Sequence, residues 1–282
     1  MKATIQYLKN ELEGLYPITE IEGFARIIFE AVCGWGFTEQ VVKRNEEISP
    51  TDFRQINEIV LRLKNFEPIQ YILGETEFYG LKIKVNPSVL IPRPETEELV
   101  QWITQCNLPE NSRILDIGTG SGCIALALKS KLKNAEIFGV DISENALQVA
   151  RQNAKTNNLN VVFFQADILN WVHSDWKTFD VIVSNPPYVR ESEKKQMKDN
   201  VLRYEPKNAL FVADNDPLVF YRTISAFAKK YLADNGRLYF EINENLGSEM
   251  NKLIIDFGFC DFEIRKDING RNRMIGCRYD IR

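Results

Sequence analysis

The sequence predicts an α/β fold. A mostly parallel sheet, covered by helices on both faces, ends in an antiparallel terminal strand, and a β-hairpin joins it to a small N-terminal helical domain. Three observations carry this. Apolar residues recur at helical spacing up to about residue 75. The period then falls to two. From about residue 111, short apolar runs alternate with amphipathic ones, the order that parallel strands with helical crossovers require.

In the first segment Ile5, Leu8, Leu12 and Leu15 share one helical face. Phe24, Ile27, Ile28 and Ala31 do the same, as do Phe53, Ile56, Val60 and Leu63. Pro17, Gly34-Trp35-Gly36 and Ser49-Pro50 separate these runs. Next, Leu81, Ile83 and Val85 alternate with Lys82 and Lys84, a strand that pairs with residues 76–79 as a hairpin. The rigid stretch Leu90-Ile91-Pro92-Arg93-Pro94 leads into a helix opened by Glu95, Glu97 and Glu98, where carboxylates favour the positive end of the helix dipole. Strands are expected at 113–116, 135–141, 161–167, 179–184 and 237–242, and helices at 122–132, 144–155 and 217–232, with Ser143 as an N-cap. Two last strands, 262–266 and 273–279, flank Asp267-Ile268-Asn269-Gly270, where Asn-Gly signals a hairpin. The expected domains are 1–75 (helical, for docking), 76–94 (hairpin linker) and 95–282 (α/β).

Composition narrows the chemistry. A hydrophobic content of 44% can fill a real core, and a net charge of −4 supplies no basic field for nucleic acid. The five cysteines are dispersed without a CxxC pair, which fits a reduced cytoplasmic protein with no structural zinc. His173 is the only histidine and its neighbours read as an ordinary loop, so a histidine triad or metal cluster is not expected. The N-terminal stretch carries acids early and resembles neither a signal nor a transit peptide, and no run approaches the apolar length of a membrane span.

The first α/β strand ends in Leu115-Asp116-Ile117-Gly118-Thr119-Gly120-Ser121-Gly122-Cys123. Gly118, Gly120 and Gly122 let backbone approach a ligand closely, beyond the carboxyl edge of the sheet where such folds bind. A dinucleotide loop would want a glycine at position 123, which is Cys, and Asp116 beside the loop would repel a pyrophosphate. A ligand with positive charge suits it better, and S-adenosylmethionine has a sulfonium and an ammonium. Asp141, at the end of the second strand, can accept from both ribose hydroxyls. Asp167 and Ile168, after the third, can take the adenine amino group and pack on the ring. Turn glycines and capping aspartates, which any α/β fold contains, are the alternative reading.

The fourth strand runs into Asn185-Pro186-Pro187-Tyr188. Next to a methyl donor, this corner suits a nitrogen whose lone pair is delocalised, such as an amide. The Asn185 oxygen and the Pro186 carbonyl can accept the two N–H groups, the prolines pre-set the carbonyl direction, and Tyr188 can stack on the planar group. A plain strand-ending turn would use the same residue types.

These residues, together with Glu67-Pro68-Ile69-Gln70-Tyr71-Ile72, Leu90-Ile91-Pro92-Arg93-Pro94-Glu95-Thr96-Glu97, Tyr204-Glu205-Pro206 and Asp267-Ile268-Asn269-Gly270-Arg271, resemble the HemK/PrmC family of protein-(glutamine-N5) methyltransferases over nearly the whole length. The resemblance implies a class I, Rossmann-like, S-adenosylmethionine-dependent methyltransferase. Its substrate would be the glutamine of the GGQ motif in class I peptide chain release factors, in the cytoplasm, with no membrane partner. It implies cofactor contacts at Gly118, Thr119, Gly120, Ser121, Gly122, Asp141, Ile168 and Asn185, and the glutamine site at Asn185, Pro186, Pro187 and Tyr188. Position 168 carries Ile where relatives often carry a larger aromatic, and Glu241-Ile242-Asn243-Glu244 departs from a common EIGxxQ pattern. A nucleic-acid amino methyltransferase would need a basic grip that the acidic balance lacks, and a non-catalytic cofactor-binding module is at odds with the intact corner.

Overall fold

The computed structural model describes residues 1–173 and 176–280, which fall into two compact units. The first comprises Met1–Gly74 together with Lys198–Tyr204. Its helices are α1 (Lys2–Leu12), α2 (Ile18–Cys33), α3 (Phe37–Val42), α4 (Pro50–Leu63) and α5 (Ile69–Leu73). Ser49 caps α4, its hydroxyl accepting from the Asp52 N–H at 3.1 Å, and Pro50 fills the first turn, where a missing donor costs nothing. Leu8, Leu12, Ile28, Phe29, Ile56 and Leu63 form the centre of this unit's core.

The second unit comprises Glu75–Met197 and Glu205–Arg282. Its hairpin, β1 (Glu75–Phe78) and β2 (Leu81–Lys84), is a built-in part of this unit rather than a free linker. The cause is Asn153, a wholly buried amide that brackets Lys84, accepting from its N–H at 2.7 Å and donating to its carbonyl at 3.0 Å. After the hairpin come α6 (Pro94–Thr104), β3 (Arg113–Ile117), α7 (Cys123–Lys131), β4 (Glu136–Asp141), α8 (Glu144–Thr156), β5 (Val162–Gln165) and β6 (Phe179–Ser184). Helix α7 is buried continuously from Cys123 to Leu128, as its unbroken apolar run requires, and it packs against α6, α8 and β4. Ser143 caps α8, accepting from the Ala146 N–H at 3.2 Å. A 3-10 segment, Ile168–His173, follows β5; the His173 side chain and Ser174 lie outside the described residues.

A two-residue parallel pair, β7 (Val189–Arg190) with β8 (Phe211–Val212), frames the excursion that contains α9 (Asp199–Tyr204). Residues 198–204 pack with the helical unit, not with the α/β unit to which the sequence order assigns them. The Tyr204 hydroxyl donates to the Asn65 carbonyl at 2.9 Å, Arg203 lies over the Phe66 ring, and Lys198 pairs with Glu20.

The chain closes with α10 (Val219–Tyr231), β9 (Leu232–Glu241), α11 (Gly247–Asp256), β10 (Cys260–Lys266) and β11 (Asn272–Arg278). Strand β9 begins earlier than its apolar run suggests, because Leu232 pairs with Phe179 before an irregularity around Asn235 and Gly236. Helix α11 has no counterpart in the expected elements. The Asn269-Gly270 turn sits in the five-residue connection 267–271, with Gly270 at φ 77°, and the Asp267 carboxylate accepts from the N–H groups of Asn269 and Arg271.

The seven-stranded sheet has the order β10-β11-β9-β6-β3-β4-β5. Strands β5, β4, β3, β6 and β9 are parallel, β11 runs antiparallel to β9, and β10 runs antiparallel to β11. The chain therefore steps outward in both directions from β3, which makes the carboxyl ends of β3, β4 and β6 a topological switch point. Among the described residues no helix is long and apolar enough to cross a membrane.

Candidate active site

Strand β3 delivers the glycine loop to that switch point. Gly118, Gly120 and Gly122 all adopt positive φ (73°, 55° and 81°), so each needs glycine on backbone grounds. The Val140 carbonyl accepts from the N–H groups of Gly118 and Thr119 at 2.8 and 2.9 Å, docking the loop on β4. Gly118, Thr119, Gly120 and Ser121 line a cleft of about 300 Å³. Gly122 lies behind it, where an added Cβ would come within 3.1 Å of Ala150 and Phe163. The buried Ser121 hydroxyl has no partner among the described residues.

Asp116 does not face the cleft. It is fully buried beneath the loop, where the Thr119 hydroxyl donates to it at 2.6 Å. It therefore holds the loop's shape without touching the cleft, so any charge it carries reaches a ligand only through the loop. Burial pushes this carboxyl up to about 7. The unfolded value is near 3.9, so between these values the folded chain keeps a proton that the unfolded chain releases. This stabilisation is complete below the unfolded value and is lost as pH rises through about 7. In urea titrations, wild type is expected to lose about 1.4 kcal/mol from this group between pH 6 and 8. Asp116→Asn should lack that share of the decline; equal declines in the two proteins would show that Asp116 does not titrate there.

Asp141 ends β4 and does line the cleft. Its carboxylate accepts from Gly120 N–H and Ser143 N–H, each at 2.9 Å, so it ties the glycine loop to the start of α8. Burial raises its pKa, and these backbone donors partly offset the rise. Asp167 also lines the cleft, with its carboxylate accepting from the Leu169 N–H at 2.9 Å and the Asn170 amide at 2.6 Å. Ile168 adds an apolar wall.

The opposite side of the cleft is the corner after β6. The Ser184 hydroxyl donates to the Ile117 carbonyl at 2.7 Å and locks β6 to β3 just before it. Asn185, Pro186 and Pro187 line the cleft, so one cavity unites the glycine loop, both strand-end acids and the corner. Tyr188 stands apart, and its hydroxyl donates to Glu241 at 2.9 Å. Burial and the Glu241 charge push its phenol well above the ordinary range. Arg273 donates to the same Tyr188 oxygen at 3.4 Å and to Asp267 at 3.0 Å.

Glu241, Thr96 and Arg273 were not singled out from the sequence. Glu241 is 1% exposed and accepts from the Thr96 hydroxyl at 2.6 Å as well as from Tyr188; burial raises its pKa against those donors. An acid inside the apolar run from Leu238 to Ile242 was the available signal, since a buried carboxylate demands partners. The remaining wall comes from the rigid segment before α6. Glu205, itself buried, accepts from the Arg93 guanidinium at 2.6 Å and from Ile91 N–H at 3.3 Å, fixing Arg93 at the cleft edge.

Comparison with known proteins identifies both units. A "PrmC N-terminal domain" family model matches residues 4–74, and a "Methyltransferase domain" model matches residues 108–246. A release factor glutamine methyltransferase from Flavobacterium psychrophilum is 47% identical over 94% of this chain and 94% of its own length. One from Bacteroides thetaiotaomicron is 41% identical over 98% of this chain and 99% of its own. Among solved structures, a methyltransferase from Pyrococcus furiosus aligns at TM-score 0.53 and 19% identity, over 80% of this chain and 98% of that one. The hMettl16 catalytic domain, solved in complex with MAT2A 3'UTR hairpin 6, aligns at 0.58 and 18% identity over 77% and 84%. These two share the fold, that of a class I methyltransferase. With relatives of this identity over almost its full length, the chain belongs to the release factor glutamine methyltransferase family.

Proposed function

We propose that this protein transfers a methyl group from S-adenosylmethionine to the side-chain amide nitrogen, N5, of the GGQ glutamine in class I release factors. The observation that carries this reading is the single cleft shared by the glycine loop and the Asn185-Pro186-Pro187 corner, in a chain of this family. The cleft's chemistry fits the cofactor, since a positive-φ glycine loop permits close approach and Asp141 offers carboxylate lone pairs beside apolar Ile142 and Ile168. Gly118, Gly120 and Ser121 would hold its amino-acid end, Asp141 the ribose, and Asp167 and Ile168 the adenine. When bound, it supplies an electrophilic methyl on sulfur.

The chain's own residues position the amide. The Asn185 oxygen and the Pro186 carbonyl accept its two N–H groups and turn the nitrogen lone pair toward the methyl. Tyr188 lies outside the cleft's lining and, anchored through Glu241 and Arg273, braces the end of the corner. The amide nitrogen would take this methyl from the bound cofactor, which is left as a neutral thioether. The methylated nitrogen is then acidic and loses its proton to water, so no strong base is needed. The reaction is placed in the cytoplasm, where release factors work.

The test is methyl transfer from labelled cofactor to a purified class I release factor, beside the same factor with its GGQ glutamine replaced and beside oligonucleotides. Label on the intact factor alone is the expected result. Label on the replaced factor or on nucleic acid would overturn the substrate assignment.

A further inference from the structure

A chain of hydrogen bonds runs from Asn185 through Thr96 and Glu241 to Tyr188. An asparagine amide has nearly the same shape in either orientation, so packing alone does not separate its oxygen from its nitrogen. Only the hydrogen-bond partners do. The nitrogen end of the Asn185 amide meets the Thr96 hydroxyl at 3.4 Å, on a residue that also lines the cleft and is 2% exposed, so little water competes there.

The relay can be traced proton by proton. Arg273 donates to the Tyr188 oxygen, and a guanidinium accepts nothing, so the single Tyr188 proton is directed to Glu241. When ionised, the state that its two donors and the nearby Arg273 charge favour against burial, Glu241 only accepts, so its other oxygen takes the single Thr96 proton, at 2.6 Å. Thr96 is left with lone pairs alone toward Asn185. The group that meets it is the Asn185 NH2, which leaves the Asn185 oxygen free to accept from a group in the cleft.

We infer that Thr96 and Glu241 are positioning residues that hold the Asn185 oxygen toward the substrate and thereby select a primary amide over a carboxylate. The opposite orientation would present N–H donors, which suit a glutamate side chain and repel the N–H groups of glutamine. The inference rests on the amide-methylating reading above and deepens it: glutamine is recognised as a donor of two hydrogen bonds, by an acceptor whose direction is set from α6 and β9.

Two variants of Thr96 and one spectroscopic readout test it. Thr96→Val keeps the shape and removes the relay, and Thr96→Ser keeps the hydroxyl. Thr96→Val is expected to lower kcat on the release factor roughly 10- to 100-fold, the range of one lost hydrogen bond in a buried site. KM and the cofactor Kd should change less than about threefold, and Thr96→Ser should recover most of the rate. A Thr96→Val enzyme with wild-type kcat, or a Thr96→Ser enzyme as slow as the valine variant, would overturn the relay. The Asn185 side-chain NH2 resonances, assigned with Asn185→Asp, are read in the same proteins. Slow proton exchange in wild type and Thr96→Ser but fast exchange in Thr96→Val supports the relay whatever the substrate proves to be. Unchanged exchange in Thr96→Val would refute it. Wild type that leaves the release factor unlabelled would overturn the function alone.

Discussion

Asn185→Ala is expected to cut kcat on the release factor by about 10²–10³-fold, the cost of removing one preorganised polar group from a transition state. The cofactor Kd should stay close to wild type, because the glycine loop and Asp141 are held by β3, β4 and the start of α8, not by the corner. The split matters more than the size of the loss. An amide nitrogen becomes a nucleophile only as its lone pair leaves conjugation, and an acceptor on the N–H group favours that geometry more in the transition state than in the ground state. KM for the release factor should therefore move little while kcat falls. Single-turnover kinetics at saturating substrate check this. Normal turnover in Asn185→Ala would sink the corner mechanism, and a loss confined to KM would reduce Asn185 to a binding contact.

Much of the scaffold was legible because its signals are local. The runs at β3, β4 and β6 are short, apolar and bounded, and a buried parallel strand has no other way to look. The glycine loop and the corner were legible because glycine and proline restrict the backbone by themselves. What stayed hidden depends on partners far away in the chain. Glu241 is read only through Thr96 and Tyr188, which lie 145 and 53 residues away. The sequence left Asp116 beside its loop without a direction, because a strand covered on both faces loses the in/out alternation that would orient it. Helix α11 has ten residues, opens on Gly247 and carries only Met250, Leu253 and Ile254 as an apolar stripe, too little for periodicity to register. Residues 198–204 look polar and unremarkable until Tyr204 reaches the Asn65 carbonyl.

Asp141→Ala should weaken cofactor binding by about 2–3 kcal/mol, the range for hydrogen bonds to a charged group, or roughly 30- to 150-fold in Kd. Two causes combine, and they can be separated. The carboxylate braces the loop through Gly120 N–H, and in the proposed reading it would also accept from the ribose hydroxyls. Asp141→Asn keeps one oxygen acceptor for the loop but loses the charge and half of the accepting capacity, so it should fall between wild type and alanine. A third possibility is that Asp141 attracts the sulfonium charge. Calorimetric titration with both S-adenosylmethionine and S-adenosylhomocysteine distinguishes this, because the second compound has the same ribose and no positive sulfur. Equal losses for the two ligands are expected if the ribose is the partner. A loss confined to S-adenosylmethionine would move Asp141 from the ribose to the charge, and unchanged affinity for both would remove it from the cofactor site.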